Sequence, residues 1–279
     1  MFGVDHPPTI GFSLAEMAQK AQEAAGKLSI SGVQPKLSVR LDKKNNLLIS
    51  VAERGEYILK SQLSTYSHIP ENEQCCMDIA QELGIVVPPH CLLPLKDKSI
   101  AYIIKRFDRE KGVKIHQEDF AQILGEENKY GGSVEQIGHK LKEISTAPGY
   151  DLQLFFERIV FNFIIGNGDA HLKNYSMLYK SEEDRRLAPA YDLVCSKLVI
   201  PREEDSALTI GGKKNRLTRD DFDRLAERFD IPMKVRYEKF ENKLALMKKI
   251  IAGSNVSREN QTKMIDIVKT CLERLGLKE

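Results

Sequence analysis

No apolar run in the sequence approaches the roughly 18 residues that a membrane span requires. The opening MFGVDHPPTIGF has neither the basic start nor the long apolar stretch of a secretory signal. The expectation is therefore a soluble, cytoplasmic protein with no membrane contact. Cysteine is sparse: Cys75, Cys76, Cys91, Cys195 and Cys271 form no C-x-x-C pair and no zinc-ligand spacing, and five is an odd number for a disulfide framework. They read as reduced, mostly buried small apolar residues. Nor is there a surplus of one charge. The 42 Lys and Arg face 40 Asp and Glu, a formal charge of +2, whereas a dedicated nucleic-acid binder concentrates basic residues. What basic clustering exists is local, at Lys213, Lys214 and Arg216. Internal repeats and low-complexity tracts are also missing. What remains is an ordinary globular composition, 42% hydrophobic and 29% charged over 279 residues, long enough for two lobes with separate cores.

The first third alternates short β-prone runs with helix signals. Ser13-Leu-Ala-Glu16 has the form of a capping box, and the helix it opens is expected to close at Gly26. Strands are expected near 28–30, 36–41, 46–51 and 56–60, separated by turns rich in Gly, Pro, Asp and Asn. Pro70 suits the first turn of a second helix, with Met77, Ile79, Ala80 and Leu83 as its apolar positions and a stop at Gly84. Two more strands are expected near 91–95 and 100–105. Beyond Arg106 the pattern turns helical. In 151–166, Leu152, Phe155, Phe156, Ile159, Val160, Phe163 and Ile164 recur at helical spacing, and Leu154, Phe161 and Ile165 make the segment apolar nearly all round, as a core helix is. Further helices are expected over 219–229, 234–252 and 258–276. The fold class read from this is α+β, a small β-rich lobe (1–105) followed by a mainly α-helical lobe (106–279).

The chemistry-bearing segment follows the core helix: Gly166-Asn167-Gly168-Asp169-Ala-His171-Leu-Lys173-Asn174, then β-like YSMLY and Ala190-Tyr191-Asp192-Leu193. Phosphoryl transfer needs a carboxylate to orient the attacking hydroxyl, oxygen ligands to hold magnesium against phosphates, and cations to offset developing charge. An Asp with an Asn five positions later supplies the first and part of the second from one loop, and a second Asp nearby completes the ion site. Asp169, Asn174 and Asp192 have this arrangement, although the H-R-D and D-F-G strings of protein kinases are absent. Each is also a common turn or cap residue; the grouping is what points to chemistry. His171 reads as a structural residue bonding the loop backbone, and Lys173 as a phosphate-facing cation or a solvated side chain. A second constellation, Ser29-Ile-Ser31-Gly32-Val33-Gln34-Pro-Lys36, places a glycine between β-prone runs where backbone N–H groups can approach phosphate oxygens. Lys60 is the candidate for the phosphate lysine, with Glu73 as its candidate partner. Gln117-Glu118-Asp119-Phe120-Ala-Gln122 reads as a helix start.

The blocks SISGVQPKL, AYIIKRFDR, HQEDFAQ, GNGDAHLKNYSML and LAPAYDL, in this order, resemble the signature of the HipA-like serine/threonine kinases, the toxin components of bacterial toxin–antitoxin modules. The resemblance implies a two-lobed kinase fold using ATP and Mg2+. It implies Asp169 as catalytic Asp, Asn174 and Asp192 as magnesium ligands, Lys60 as the ATP-phosphate lysine and Lys105-Arg106-Phe107 as the hinge beside adenine. It also implies a phosphate loop within 26–37 carrying Ser31, Gly32, Val33, Gln34 and Lys36, a catalytic loop at 166–175 with His171 and Lys173, and a metal-binding segment at 189–194. Ser29 matches the family's inhibitory autophosphorylation position and Ser31 is a second candidate; phosphate there adds roughly −1.5 to −2 charge where the loop must accept another phosphate. Only 28 residues precede Ser29, too few for the N-terminal subdomain of full-length members. That is similar to the shortened HipT-type kinases of three-component modules, which implies a small HipS-like antitoxin and a HipB-like DNA-binding antitoxin as partners, without direct nucleic-acid binding. Family substrates imply a serine of an aminoacyl-tRNA synthetase, tryptophanyl- or glutamyl-type, as target. A small-molecule or lipid kinase also uses a G-D-x-x-x-x-N loop, and a catalytically inactive binding module is the remaining alternative.

Overall fold

The structure, a computed structural model, describes residues 1–25, 34–62, 65–110 and 112–277, the first segment without the side chains of 24 and 25. The expected strand at 28–30 and Ser29, Ser31, Gly32 and Val33 of the phosphate loop lie outside the described residues. The chain divides into two compact units, Met1–Gln74 with Pro88–Lys114, and Cys75–Val87 with Ile115–Glu279. The first unit's last segment ends at Lys114, and residues 75–87 count with the second unit.

In the first unit the described strands are β1 (Thr9–Ile10), β2 (Lys36–Asp42), β3 (Leu47–Ser50), β4 (Tyr57–Ser61), β5 (His90–Pro94) and β6 (Ile100–Lys105), which form one sheet in the order β1-β3-β2-β4-β6-β5. Pairing is antiparallel except for β1 with β3. Helix α1 (Leu14–Ala25) starts on the expected capping box: the Ser13 N–H donates to Glu16 Oε2 at 2.7 Å and the Glu16 N–H to Ser13 Oγ at 3.3 Å. Its Met17 joins Leu37, Val39, Leu41, Leu48, Tyr57, Leu59 and Ile103 in the apolar core. Strand alternation puts Tyr57 and Leu59 into that core, so Ile58 and Lys60 point to the opposite face of the sheet. Helix α2 (Ile69–Glu82) carries Pro70 in its first turn and ends before Gly84, at φ +73. A two-strand ribbon, β7 (Arg109–Glu110) with β8 (Val113–Lys114), closes the unit's sequence.

The second unit contains β9 (His116–Asp119), α3 (Phe120–Leu124), α4 (Val134–Ile144), α5 (Pro148–Ile164), β10 (Ser176–Ser181), β11 (Asp184–Leu187), α6 (Arg219–Arg228), α7 (Leu244–Gly253) and α8 (Arg258–Arg274). The three strands form an antiparallel sheet in the order β11-β10-β9. Helix α5 is the core helix the sequence predicts, with Leu152, Phe155, Phe156, Val160, Phe161, Phe163 and Ile164 all buried. Its buried Asp151 is fully satisfied by Ser145 Oγ at 2.6 Å, the Leu187 N–H at 3.0 Å and the Arg186 guanidinium at 2.9–3.2 Å, which ties the helix start to β11. The continuous helix expected over 234–252 is corrected: a short 3-10 turn at Met233–Val235 and an irregular stretch precede α7, which begins at Leu244. Asn242 takes a left-handed φ of +58 and Tyr237 and Phe240 are buried, so packing of two aromatic side chains and a left-handed turn override the helical periodicity.

Among the described residues, no helix is long and apolar enough to cross a membrane. All five cysteines are free thiols. Burial pushes Cys75 and Cys195 up to about 12 and Cys271 to about 11, so these thiols are inert at neutral pH.

Candidate functional site

The turn after α5 is built by helix termination. Gly166, at φ +69, donates its N–H to the Phe163 carbonyl at 3.2 Å, and the Asn167 N–H reaches the Asn162 carbonyl at 2.8 Å. These are the two bonds of a Schellman motif, which needs a residue free to adopt the left-handed conformation at that place. The side chain of Asn167, buried, then works as a junction. Its Nδ2 donates to Asn162 Oδ1 at 2.9 Å and to the Asp192 carbonyl at 3.5 Å, while its Oδ1 accepts the Asp169 N–H at 3.3 Å. Thus one amide joins the end of the core helix, Asp169 and the backbone of Asp192.

On the other flank the Gly168 N–H donates to Ser196 Oγ at 2.8 Å, and Ser196 Oγ is bonded to the Glu203 carboxylate. A Cβ at 168 would lie 2.4 Å from the Glu204 carbonyl oxygen and 2.7 Å from the Glu203 side chain, so glycine is what fits here. Burial, with the negative charge of Asp169 beside it, raises the Glu203 carboxyl above its ordinary range despite the Ser196 hydroxyl.

Past Asp169 the chain makes one 3-10 turn, Leu172–Asn174, and enters β10. Asn174 closes this turn: its Oδ1 accepts the His171 N–H at 2.9 Å and its own N–H reaches the His171 carbonyl at 2.9 Å. Its Nδ2 donates to Asp192 Oδ2 at 3.4 Å. Asp192 sits at a left-handed φ of +55, a conformation an Asp tolerates at a cost. Asn174 and Asp192 are therefore in contact, and the Asn167 amide links Asp169 to the backbone of Asp192.

Nδ1 of His171 is buried with no hydrogen-bond partner, and the His171 N–H is held by the amide oxygen of Asn174. Burial and the neighbouring Lys129 lower the His171 pKa, against the opposing pull of Asp169 and Asp192, so the imidazole is neutral at neutral pH. Lys173 is exposed, and its carbonyl accepts the Tyr191 hydroxyl at 2.9 Å. Lys213 of the local basic cluster is paired with Asp221 at 2.8 Å.

Sequence reasoning missed Tyr130. Its hydroxyl donates to Asp169 Oδ1 at 2.8 Å and its ring meets His171 edge-on at 5.4 Å. Ser196 and Glu203 were missed as well. The signal available was thin: an Asn-Lys-Tyr-Gly-Gly turn before α4, and a Ser four residues past Asp192.

In the first unit Lys60 leaves the sheet on the face opposite the core. Its Nζ bonds Glu73 Oε1 at 2.6 Å and lies 5.6 Å from the centre of the Tyr102 ring, its direct cross-strand partner. Both ions are buried, Lys60 at 9% and Glu73 at 1% exposure. Gln34 donates from Nε2 to the Ser61 carbonyl at 2.8 Å, and Lys36, exposed, stands opposite Lys60 in the β2–β4 register. At the end of β6, Lys105 is exposed, Arg106 is locked to Asp108 by two bonds of 2.8 and 2.6 Å, and Phe107 is half-buried.

The donors at Asn174 and Asp192 suit a hard divalent cation: a carboxylate and an amide oxygen with a spare lone pair, and no thiolate. Among the described residues no cluster of three or more His, Cys, Asp and Glu side chains is placed to hold a metal by itself.

Compared with known proteins, residues 28–264 match the family described as the HipA-like C-terminal domain. A curated candidate kinase of Sinorhizobium fredii, Y4dM, is 37% identical over 84% of this chain and 60% of its own length. A candidate kinase of Haemophilus influenzae is 34% identical over 67% of the chain and 58% of its own length. The serine/threonine-protein kinase toxin HipA of Shewanella oneidensis is 27% identical over 66% of the chain and 47% of its own length. The chain thus spans about half to three-fifths of the length of these relatives. Among solved structures, the Shewanella oneidensis HipA complex with HipB and operator DNA superimposes with a TM-score of 0.72 at 21% identity, covering 90% of this chain and 66% of that one. The Helicobacter pylori proinflammatory kinase CtkA does so at 0.62 and 18% identity, covering 96% and 95%. The fold class is accordingly kinase-like.

Proposed function

The chain belongs to the HipA-like C-terminal domain family, and from that premise we propose that it is an ATP- and magnesium-dependent serine/threonine protein kinase of toxin type. The observation that carries the reading is the loop at 166–175: an Asp and an Asn five positions apart, with the Asn side chain bonded to the carboxylate of a second Asp. The buried Lys60–Glu73 pair supports it independently, because kinases require a strand lysine fixed by a helix glutamate before it can serve phosphates.

On this reading Asp169 accepts a hydrogen bond from the attacking serine hydroxyl, orients it, and takes its proton as the bond from the serine oxygen to the γ-phosphorus forms and the bond from that phosphorus to the β–γ bridging oxygen breaks, releasing ADP. Asn174 through Oδ1 and Asp192 through its carboxylate would hold Mg2+, which when bound neutralises phosphate charge. Lys60 holds the α- and β-phosphates, and Glu73 keeps its ammonium from folding away. Asn167 and Ser196 hold the Asp169 turn in place so that little reorganisation is left for the transition state. Lys105, Arg106 and Phe107 are assigned to the adenine hinge. Gln34 and Lys36, with Ser31, Gly32 and Val33, are assigned to the phosphate loop, and His171 and Lys173 to the phosphate-facing side of the catalytic loop. The working division stays 1–105 for the smaller lobe and 106–279 for the helical one.

The acceptor is a serine of an aminoacyl-tRNA synthetase, tryptophanyl- or glutamyl-type, and the chain's own Ser29 and Ser31. The Ser-Ile-Ser pair favours the HipT-type branch, with a small HipS-like protein and a HipB-like DNA-binding protein as antitoxins. The test is transfer from γ-labelled ATP to a panel of synthetases, with mass spectrometry of the chain itself. Label on one synthetase and on Ser29 or Ser31 is the expected result. Transfer to a sugar or lipid headgroup with none to protein would contradict it.

A further inference from the structure

Asp169 presents two carboxylate oxygens, and the structure treats them differently. Oδ1 accepts the Tyr130 hydroxyl at 2.8 Å, while among the described residues no protein donor bonds Oδ2. The tyrosine comes from the turn before α4, far from Asp169 in sequence, and it is fixed from several sides. The Tyr130 N–H donates to Asn128 Oδ1 at 3.0 Å and the Gly131 N–H to the Asn128 carbonyl at 2.8 Å, which makes a tight Asx-type turn. The Leu172 N–H donates to the Lys129 carbonyl at 3.1 Å, stapling this turn to the catalytic loop itself. Lys129 Nζ lies 4.8 Å from the centre of the tyrosine ring, and the ring edge meets His171. Lys214 Nζ reaches the Tyr130 carbonyl at 3.4 Å.

A phenol held in this way cannot serve as the proton acceptor. Burial, the bond to Asp169 and the nearby Glu203 all raise its pKa, so it stays a neutral donor across the working pH range. Nor is it built as a loose plug, since bonds from both the Asn128 turn and the catalytic loop hold it in place. A donor that occupies one carboxylate oxygen and leaves the other open fixes the rotation of the carboxylate about its Cβ–Cγ bond. We infer that Tyr130 is a positioning residue: its hydroxyl anchors Asp169 Oδ1 so that Oδ2 faces the acceptor hydroxyl. The inference rests on the kinase reading above and deepens it, since the tyrosine acts through Asp169 and not on substrate.

The experiment uses the full chain and measures magnesium-dependent ATP turnover, binding of a non-hydrolysable ATP analogue by calorimetry, and thermal unfolding. Tyr130→Phe keeps the ring and its contacts and removes only the donor. The expected result is a fall in kcat of about ten- to a hundredfold, the value of one hydrogen bond to a charged group, with KM for ATP, analogue binding and Tm essentially unchanged. Asn128→Ala, which leaves the hydroxyl but loosens its turn, is expected to fall between the two. Replacing Tyr130 by a ring-fluorinated tyrosine, a stronger donor of the same shape, is expected to keep at least the wild-type rate. A Tyr130→Phe variant as fast as wild type or faster overturns the inference alone. So does a fall in kcat matched by lost analogue binding or lost Tm, which would mark the tyrosine as structural. A wild type that binds the analogue but turns over no ATP overturns the kinase reading and this inference with it.

Discussion

Separating what the Lys60–Glu73 pair does for stability from what it does for chemistry takes one double-variant cycle. Lys60 has a side-chain exposure of 11% and Glu73 of 2%, and they meet at 2.6 Å, so solvent screens them little. Removing one partner of such a pair takes the close opposite charge away from the other in a low-dielectric site, at a cost of up to about 3–5 kcal/mol. Lys60→Met alone and Glu73→Leu alone should each lower Tm by an amount on the order of 10 °C. The double variant Lys60→Met/Glu73→Leu buries two apolar side chains in their place and should recover most of that loss, because a buried ion pair is commonly worth no more than a well-packed hydrophobic replacement. Activity should behave oppositely. On the proposed reading all three variants lack the lysine assigned to the phosphates or its support, and the double should stay reduced by about a hundredfold or more in ATP turnover despite its recovered Tm. Thermal unfolding and a coupled ATPase assay on the same four proteins decide the matter. If the single variants melt with wild type, the burial argument is wrong. If the double variant turns over ATP normally, Lys60 is not the phosphate lysine.

Other expectations follow from the same geometry. Gly168→Ala pushes a methyl group to within 2.4 Å of the Glu204 carbonyl, so the Asp169 turn must shift; kcat should drop at least tenfold while circular dichroism shows a folded chain. At Asp205, burial opposes the charge, but bonds from Arg274 (2.5 and 3.1 Å), Lys197 (2.6 Å) and the Leu217 N–H (3.1 Å) outweigh it and hold the carboxyl well below its ordinary range. A depressed carboxyl contributes stability above its unfolded pKa near 3.8 and loses it as pH falls further. Asp205→Asn should therefore lower Tm at pH 7 and flatten its dependence on pH below about 4. Glu203 has the reverse sign: its raised pKa makes the folded state lose stability as pH rises through the carboxylate range, and Glu203→Gln should raise Tm at pH 7 more than at pH 4.

Much of this arrangement was legible in the sequence wherever the cause was local. The capping box at Ser13, the stop at Gly84 and the alternating strands of the first unit follow from neighbouring residues alone, and so does the apolar periodicity of α5. The turn at Gly166 was equally visible, since a helix of that polarity pattern must end where its apolar stripe stops and a glycine can take the left-handed conformation. The failure at 234–252 has the opposite cause: the pattern of Tyr237, Phe240 and Leu244 suits a helix, but tertiary burial of the two aromatics selected an irregular path. Tyr130 and Ser196 escaped notice because their partners in the loop lie many positions away, Tyr130 being 39 residues from Asp169 and Ser196 28 from Gly168. A hydrogen bond across such a distance leaves no periodicity behind.

The most direct measurement is transfer of the γ-phosphate from labelled ATP by the full chain with magnesium, compared with Asp169→Asn and with chelator added. Phosphate should appear on Ser29 or Ser31 in the wild type, and be lost both in the variant and without magnesium. Equal labelling of wild type and Asp169→Asn would contradict the assignment of this loop as the place where phosphoryl transfer occurs.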